Sequence, residues 1–288
     1  MTPLLQTKDL CYTYSQHTPF EKAAVQHVNL TIQSGEFIGV IGHTGSGKST
    51  LIQMLNGLIR PTSGQVLLHG KDIWEDPKKI RAVRFQVGMV FQYPEDQLFE
   101  ETVLKDIMFG PRNMGLSEEA VKQRALDAAK FVGLRDELLE KSPFELSGCE
   151  KRRAAIAGVI AMDPDVLILD EPAAGLDPAG RDALLDQVSR YHKTRGNTVL
   201  LVSHSMEDVA RVADRVLVMN DAHVQMFDTT EKVFAQDKLL ASIGLQVPQV
   251  TRIMSILQEE GYPVTTALTL DQAVAQLLPL LPKGGEKS

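Results

Sequence analysis

The sequence predicts an α/β fold with a parallel β-sheet at its centre, and three patterns support this prediction. After residue 165, short apolar runs alternate with helical segments, as buried parallel strands alternate with crossover helices. A glycine-rich loop at 42–49 joins an apolar run to a helix-periodic segment. The first forty residues alternate apolar and polar side chains instead, which predicts an antiparallel edge sheet. The apolar runs lie at 166–169, 198–202 and 215–219, and the helices at 179–195 and 205–213.

The remaining elements follow from spacing and from turn residues. Buried strands are predicted at 37–41, 66–68 and 87–91, and a helix at 51–58. Residues 103–160 are mostly helical in pattern, and the helix at 116–131 begins at an N-cap, Ser117. The tail, about 230–288, is predicted as amphipathic helix broken by prolines, with a frayed end.

Composition narrows the class of protein. The 288 residues are 43% hydrophobic and 23% charged, which excludes wholesale disorder. No apolar run approaches the roughly 18 residues of a membrane span, and the first ten residues do not form a secretory signal. Two cysteines, Cys11 and Cys149, favour a cytoplasmic chain with reduced thiols. The net charge of −7 argues against a general nucleic-acid binder.

The glycine-rich loop has the chemistry of a phosphate loop. Glycines let backbone N–H groups surround a phosphate, and the N-terminus of the following helix adds partial positive charge. Lys48 would reach the terminal phosphates of a nucleotide and the Ser49 hydroxyl would ligate Mg²⁺. The predicted nucleotide-binding residues here are Gly42, His43, Thr44, Gly45, Ser46, Gly47, Lys48, Ser49 and Thr50.

Two carboxylates follow the predicted strand at 166–169. Asp170 at its end could hold Mg²⁺ through water, and Glu171 could activate the attacking water as a general base. The alternative is a solvated turn leading into Pro172. The phosphate loop upstream favours the catalytic interpretation.

Four further features stand in order along the chain. They are Gln92, the segment 146–150 (Leu-Ser-Gly-Cys-Glu), the segment 174–177 (Ala-Gly-Leu-Asp) and His204. With Lys48 and Asp170, this order resembles the nucleotide-binding subunit of ATP-binding-cassette (ABC) transporters over about residues 4–230. The resemblance implies a P-loop nucleotide-hydrolase core, an N-terminal antiparallel β subdomain and an inserted helical subdomain at about 95–160. A C-terminal helical extension at 231–288 would contact a partner ATPase.

The resemblance also implies residue roles. Tyr14 would stack on adenine, although Tyr12 lies two residues away on the same strand face. Gln92 would sense Mg²⁺ and the attacking water. His204 would hold the γ-phosphate and position both the water and Glu171. For Gln92 and His204 the alternative is an ordinary surface or packed side chain.

The segment 146–150 implies a mechanism that needs two chains. Ser147 and Gly148 would contact the γ-phosphate of ATP held by an opposite subunit, and Asp177 would lie at the dimer interface. The family pattern is Leu-Ser-Gly-Gly-Gln, so Cys149 and Glu150 depart from it. A Cβ at Cys149 can obstruct close backbone approach, and Glu150 brings negative charge near a triphosphate. Either this composite site is impaired, or a small backbone shift accommodates the change.

A narrower resemblance comes from the stretch 92–103, from 106–107 and 109–111, from 18–21 and from 42–45. These segments are similar to the second of the two ATPases of energy-coupling factor (ECF) transporters. The resemblance implies ATP and Mg²⁺ as cofactors and vitamin or micronutrient uptake as the function. It implies three partners at the cytoplasmic membrane face: a second homologous ATPase, a transmembrane coupling protein and a membrane-embedded substrate-binding protein. The carboxylates of Glu95, Asp96, Glu100 and Glu101 would pair with arginines of the coupling protein, or form a solvated acidic loop.

Two alternative functions follow from the same features. One is a soluble cassette ATPase that acts on nucleic acid or ribosomes, which the acidic composition disfavours. The other is a nucleotide-dependent subunit with one impaired composite site, which Cys149 supports.

Overall fold

The computed structural model describes residues 2–281, and its strands form two sheets. In chain order the strands are β1 (Leu5–Tyr14), β2 (Lys22–Ile32), β3 (Phe37–Ile41), β4 (Ser63–Leu68), β5 (Lys71–Asp72), β6 (Val87–Val90), β7 (Val166–Asp170), β8 (Thr198–Val202), β9 (Arg215–Asn220) and β10 (His223–Thr229). The first sheet is antiparallel, with strand order β2-β1-β4-β5. The second has the order β10-β9-β3-β8-β7-β6 and is parallel except for the β9–β10 hairpin.

Helices cover both faces of the second sheet, and for this reason its central strands are buried along their whole length. The helices are α1 (Lys48–Leu55), α2 (Ile80–Gln86), α3 (Val103–Asn113), α4 (Glu118–Phe131), α5 (Gly148–Ile160), α6 (Pro178–Arg195), α7 (Met206–Val212), α8 (Thr230–Phe234), α9 (Asp237–Ser242), α10 (Gln249–Glu259) and α11 (Leu270–Leu277). Within residues 2–281, no helix combines the length and apolarity needed to cross a bilayer.

The described residues form four hydrophobic clusters, and the first three hold the layers together. The largest packs α3, α4, α5 and α6 against one face of the parallel sheet, and the second joins its other face to the antiparallel sheet. A third places α8 and α9 against β9. The fourth, centred on Met254, Val264 and Ala267, belongs to the C-terminal helices alone.

The predicted fold class is confirmed by the sheet topology. Most strands predicted from apolar runs and the helices at 116–131 and 179–195 are confirmed to within one or two residues, and Ser117 caps α4 by accepting the Ala120 N–H. The bounds of two predicted elements are wrong by three residues: β4 begins at Ser63 rather than at 66, and α1 spans Lys48–Leu55 rather than 51–58. The β9–β10 hairpin was not predicted, because half-exposed β10 lacks a clear apolar run.

The predicted helical tail is confirmed in type as far as residue 281. Its first part, through Val247, packs on the parallel sheet, and a separate cluster begins only in α10. The frayed end predicted for the chain falls in 282–288, which lie outside the described residues. The boundaries at 95–160 and 231–288 stay predictions.

Candidate functional site

The phosphate loop connects the end of β3 to the first turn of α1. Gly47 has a φ of 103°, and a Cβ there would lie 2.0 Å from the Ala24 carbonyl oxygen of β2, so only glycine fits. The Ser46 hydroxyl is buried and, among the described residues, has no hydrogen-bond partner. A cradle of glycines at a helix N-terminus with an unpartnered polar atom suits an anion such as phosphate.

Lys48 is folded back over this loop. Its Nζ donates to the carbonyl oxygens of Gly42 at 2.7 Å and His43 at 3.0 Å. Burial lowers the pKa of Lys48, and the nearby carboxylates of Glu171 and Asp170 oppose that shift. A buried ammonium group next to two acids is thus held at the mouth of the loop.

The two carboxylates lie at the end of β7, between β6 and β8. Burial raises the pKa of Asp170, and Lys48 and the Ser49 hydroxyl counteract this. Glu171 follows with a left-handed φ of 51°, and its N–H donates to the Val202 carbonyl oxygen of β8 at 3.1 Å. Strained backbone of this kind clusters at functional sites.

Glu171 is the most perturbed carboxyl group of the site. Burial, followed by the charge of Asp170, raises its pKa to about 7, against the opposing effects of Lys48 and of the His204 backbone N–H. A carboxyl group that titrates near neutral pH is suited to general-base chemistry.

His204 comes two residues after the end of β8 and reaches Glu171. Its Nε2 lies 2.9 Å from Glu171 Oε1, but the ring N–H is poorly aligned for a hydrogen bond. Burial, together with the charge of Lys48, lowers the pKa of His204. The imidazole is therefore largely neutral at pH 7 and stands beside the candidate base.

Tyr14 closes the site on the side of the antiparallel sheet. Its hydroxyl lies 3.0 Å from Thr50 Oγ1, and its ring is 41% exposed. A cavity of about 240 Å³ is lined by Tyr14, Lys22, Ala24 and residues of the phosphate loop. Tyr12 contacts the Tyr14 ring edge to face at 4.8 Å but packs against the core. The structure therefore places Tyr14, rather than Tyr12, at the cavity.

The remaining predicted residues lie around this centre. Gln92 is exposed just beyond β6, next to the strand that carries Asp170. Ser147 and Gly148 begin α5, and within residues 2–281 neither makes a hydrogen bond to the phosphate loop. Asp177 caps α6 by accepting the Gly180 N–H at 3.0 Å. The structure brings Lys48, Asp170, Glu171 and His204 together. Gln92, Ser147, Gly148 and Asp177 lie outside this cluster.

Glu150 is held by its own helix terminus. Its Oε2 accepts hydrogen bonds from the Ser147 N–H at 2.9 Å and from the Ser147 hydroxyl at 2.7 Å. The Ser147 contacts, with Arg135 Nη2 at 3.2 Å from Oε1, lower the pKa of Glu150. The carboxylate is a capping group here, and Cys149 beside it is exposed.

Sequence reasoning missed Arg152, which joins three parts of the site. Its guanidinium donates to both carboxylate oxygens of Glu95, with the Nε contact at 2.9 Å, and to the backbone carbonyl oxygens of Pro172 and Ala174 at 3.1 and 2.8 Å. The prediction that Glu95 pairs with arginines of a coupling protein is therefore wrong in this structure, because Glu95 is already paired. The pair of Glu95 and Arg152 could have been predicted only if the burial of Arg152 had been known, and the local sequence does not show that burial.

The fold and the site define a P-loop ATPase. The sequence profile of the ABC transporter family matches residues 25–174. The protein named "Energy-coupling factor transporter ATP-binding protein EcfA2" in Clostridium acetobutylicum is 52% identical over 96% of this chain and 98% of its own length. Its namesake in Caldanaerobacter subterraneus is 48% identical over 95% of this chain and 96% of its own. The chain belongs to the ABC transporter family, among the ATP-binding proteins of energy-coupling factor transporters.

Solved structures agree with this assignment. CbiO1 from Clostridium perfringens, described as part of the ABC transporter complex cbiONQ, matches with a TM-score of 0.74 and 36% identity over 88% of this chain and 99% of its own. A bacterial ABC transporter cassette solved as a dimer matches with a TM-score of 0.70 and 28% identity, over 78% of this chain and 98% of its own.

Proposed function

We propose that this chain is the ATP-hydrolysing subunit of an ECF-type importer and couples ATP-driven closure of an ATPase dimer to uptake of vitamins or related micronutrients. The observation that carries the proposal is the separation of the site into two halves. Lys48, Asp170, Glu171 and His204 surround the phosphate loop, whereas Ser147 and Gly148 begin a helix that does not bond to it. A second ATPase is needed to complete each site.

The residues present fit ATP and Mg²⁺. The glycine cradle, the unpartnered Ser46 hydroxyl and Lys48 suit a triphosphate. The oxygen ligands of Ser49, Asp170 and Gln92 are of the kind that Mg²⁺ prefers. Bound Mg²⁺ would neutralise charge on the phosphates. We place adenine against the exposed ring of Tyr14.

The chain's own residues supply positioning and proton transfer. Lys48 would exchange its two carbonyl contacts for phosphate oxygens, because a buried ammonium group gains more from an anion. Glu171, deprotonated above pH 7, would take a proton from the attacking water as the general base. His204, neutral and 2.9 Å away, would orient that water and the γ-phosphate.

Two exposed surfaces suit the proposed partners. Three aromatic residues that follow Gln92 in the chain, Tyr93, Phe99 and Phe109, are exposed, and the latter two pack edge to face at 5.0 Å. We assign this aromatic patch, with Asp96, to the transmembrane coupling protein. The exposed apolar face of α10 and α11, which includes Ile253, Ile256, Leu270 and Val274, is assigned to the second ATPase.

Co-purification from membranes of the source cell tests the proposal. A second ABC ATPase and integral membrane proteins should be retained with this chain. Phe99→Ser should release the membrane proteins, whereas Phe20→Ser, a change at another exposed phenylalanine, should not. Recovery of the chain alone or with ribosomes would overturn the importer assignment.

A second candidate is a subunit whose segment 146–150 completes its partner's site poorly. It is favoured by the Ser147 hydroxyl, which donates to Glu150 at 2.7 Å and is therefore engaged within the chain. If this candidate is correct, the double change Cys149→Gly with Glu150→Gln raises turnover of the purified complex. Unchanged turnover means that the composite site tolerates Cys149 and Glu150 in place of the family residues.

A further inference from the structure

Three side chains of different chemistry meet on the outer face of the antiparallel sheet, away from the residues that surround the phosphate loop. Asp9 and Cys11 lie two residues apart on β1, and His27 lies opposite on β2. One ligand atom from each, a carboxylate oxygen, Sγ and a ring nitrogen, lies within 4.8 Å of the other two. His27 Nδ1 is 2.7 Å from Asp9 Oδ1 and 3.9 Å from Cys11 Sγ.

The backbone presents these groups through an irregularity in the strand pair. The register between β1 and β2 shifts on both sides of Leu10, and Asp9 and His27 have left-handed φ values of 46° and 50°. Such values are uncommon for residues other than glycine, and bulges of this kind redirect side chains. The bulge brings all three groups to one place on the surface.

Neighbouring residues hold the bulge in this form. The Asn29 side chain accepts the Asp9 N–H at 2.9 Å and donates to the His27 carbonyl oxygen at 3.1 Å. The His27 N–H donates to Cys11 Sγ at 3.2 Å. On the adjacent strand β4, a Cβ at Gly64 would lie 2.2 Å from the Asp9 carbonyl oxygen, so glycine is required there. The three ligands are therefore arranged by the fold itself.

We propose that Cys11, His27 and Asp9 form a binding site for a divalent transition metal of the Zn²⁺ class. Thiolate and imidazole ligands select such ions, whereas Mg²⁺ and Ca²⁺ prefer oxygen alone. The site is therefore chemically distinct from the oxygen ligands of Ser49 and Asp170. Three protein ligands leave a fourth tetrahedral position for water or another ligand.

Metal binding requires modest movements of the ligand atoms and releases the thiol proton of Cys11. Metal–nitrogen and metal–oxygen bonds of about 2.0–2.1 Å and a metal–sulfur bond of about 2.3 Å put tetrahedral ligand atoms roughly 3.3–3.6 Å apart. The nitrogen–oxygen pair must therefore open from 2.7 Å and the sulfur must move closer, by up to roughly one ångström. The metal–sulfur bond forms as the Cys11 S–H bond breaks, and that proton goes to solvent. His27 binds the metal through the Nδ1 lone pair of the neutral imidazole, whose single ring proton is then on Nε2, so the thiol proton is the one released.

The test uses the full chain, produced without a polyhistidine tag, stripped of metal and free of nucleotide. Co²⁺ serves as the probe, because a cobalt–thiolate bond gives a charge-transfer absorption that oxygen or nitrogen ligands do not. One equivalent should bind with this absorption, release protons and be displaced by Zn²⁺. Cys11→Ser should abolish the absorption. The matched control Cys149→Ser, at the chain's other thiol, which is exposed, should retain it.

A second measurement uses the unaltered chain, so that it does not depend on how a variant folds. Zn²⁺ should slow alkylation of Cys11 while leaving Cys149 reactive, as read by peptide mass spectrometry. His27→Gln and Asp9→Asn should each weaken Co²⁺ binding by about tenfold or more, since even an outer-shell partner is worth that much. No charge-transfer absorption in the unaltered chain, its persistence in Cys11→Ser, or equal protection of both thiols would overturn the proposal.

Discussion

Replacing Glu171 with glutamine should raise the stability of the folded chain, and by more at high pH than at low pH. The pKa of this carboxyl group moves from 4.5 to about 7 on folding, mainly because it is buried and then because Asp170 is adjacent. In the folded state it therefore holds its proton up to a higher pH than in the unfolded state. The folded chain binds more protons in this window, so its stability falls as the pH rises from about 4.5 to about 7.

The magnitude follows from the pKa difference. About 2.5 pH units, at roughly 1.4 kcal/mol per unit, correspond to up to about 3.5 kcal/mol. A neutral amide avoids that cost. The stability gained by Glu171→Gln should therefore grow from about 1 kcal/mol near pH 5 to about 3 kcal/mol above pH 8.

Urea unfolding without nucleotide, at a series of pH values, measures this difference. Glu101→Gln is the control, because Glu101 is an exposed carboxylate paired with Lys105. Surface changes of this kind alter stability little, and the small effect should not grow with pH. If the stability gained by Glu171→Gln stays constant with pH, the argument that burial destabilises the ionised carboxylate is refuted. In the same variant, ATP hydrolysis should fall by roughly 10²–10⁴-fold while ATP binding persists.

Three further predictions concern neighbouring parts of the site. Arg152→Ala should destabilise the chain by about 3–5 kcal/mol in thermal or urea unfolding, because it leaves Glu95 without its partner. Adding Glu95→Gln should recover part of the loss. An unchanged unfolding midpoint in the single variant would contradict the role given to the Arg152 hydrogen bonds. Tyr14→Ala should weaken ATP binding in calorimetry more than Tyr14→Phe, which removes only the contact with Thr50, worth about 1 kcal/mol; equal losses would count against stacking. Gly47→Ala should abolish ATP binding, since its Cβ would overlap the backbone of β2; measurable affinity would show that the loop can move aside.

Local sequence patterns predicted the parts of the site that depend on neighbours along the chain. The phosphate loop, Asp170 at a strand end and the Ser117 cap each follow from residue types at short spacing. His204 was indicated by the family resemblance, which rests on the order of the motifs along the chain. Its approach to Glu171 required the parallel order of β7 and β8.

Contacts between distant segments could not be predicted in this way. Arg152 and Glu95 are 57 positions apart, and the sequence gives no sign that the arginine is buried and paired. That pairing depends on which groups are desolvated together, a property of the packed layers. The contact of Glu150 with Ser147 is different, because it is a capping box between residues three apart, which the local sequence does contain.

The sequence by itself determined the class of fold, the phosphate loop and the order of the family motifs, because hydrophobic period and glycine spacing act over a few residues. Only the tertiary structure decided that Tyr14 lies at the cavity, that Glu171 titrates near pH 7 and that Cys11, His27 and Asp9 meet. Each of these depends on strands brought together from separate parts of the chain, where burial and through-space distance set the energies.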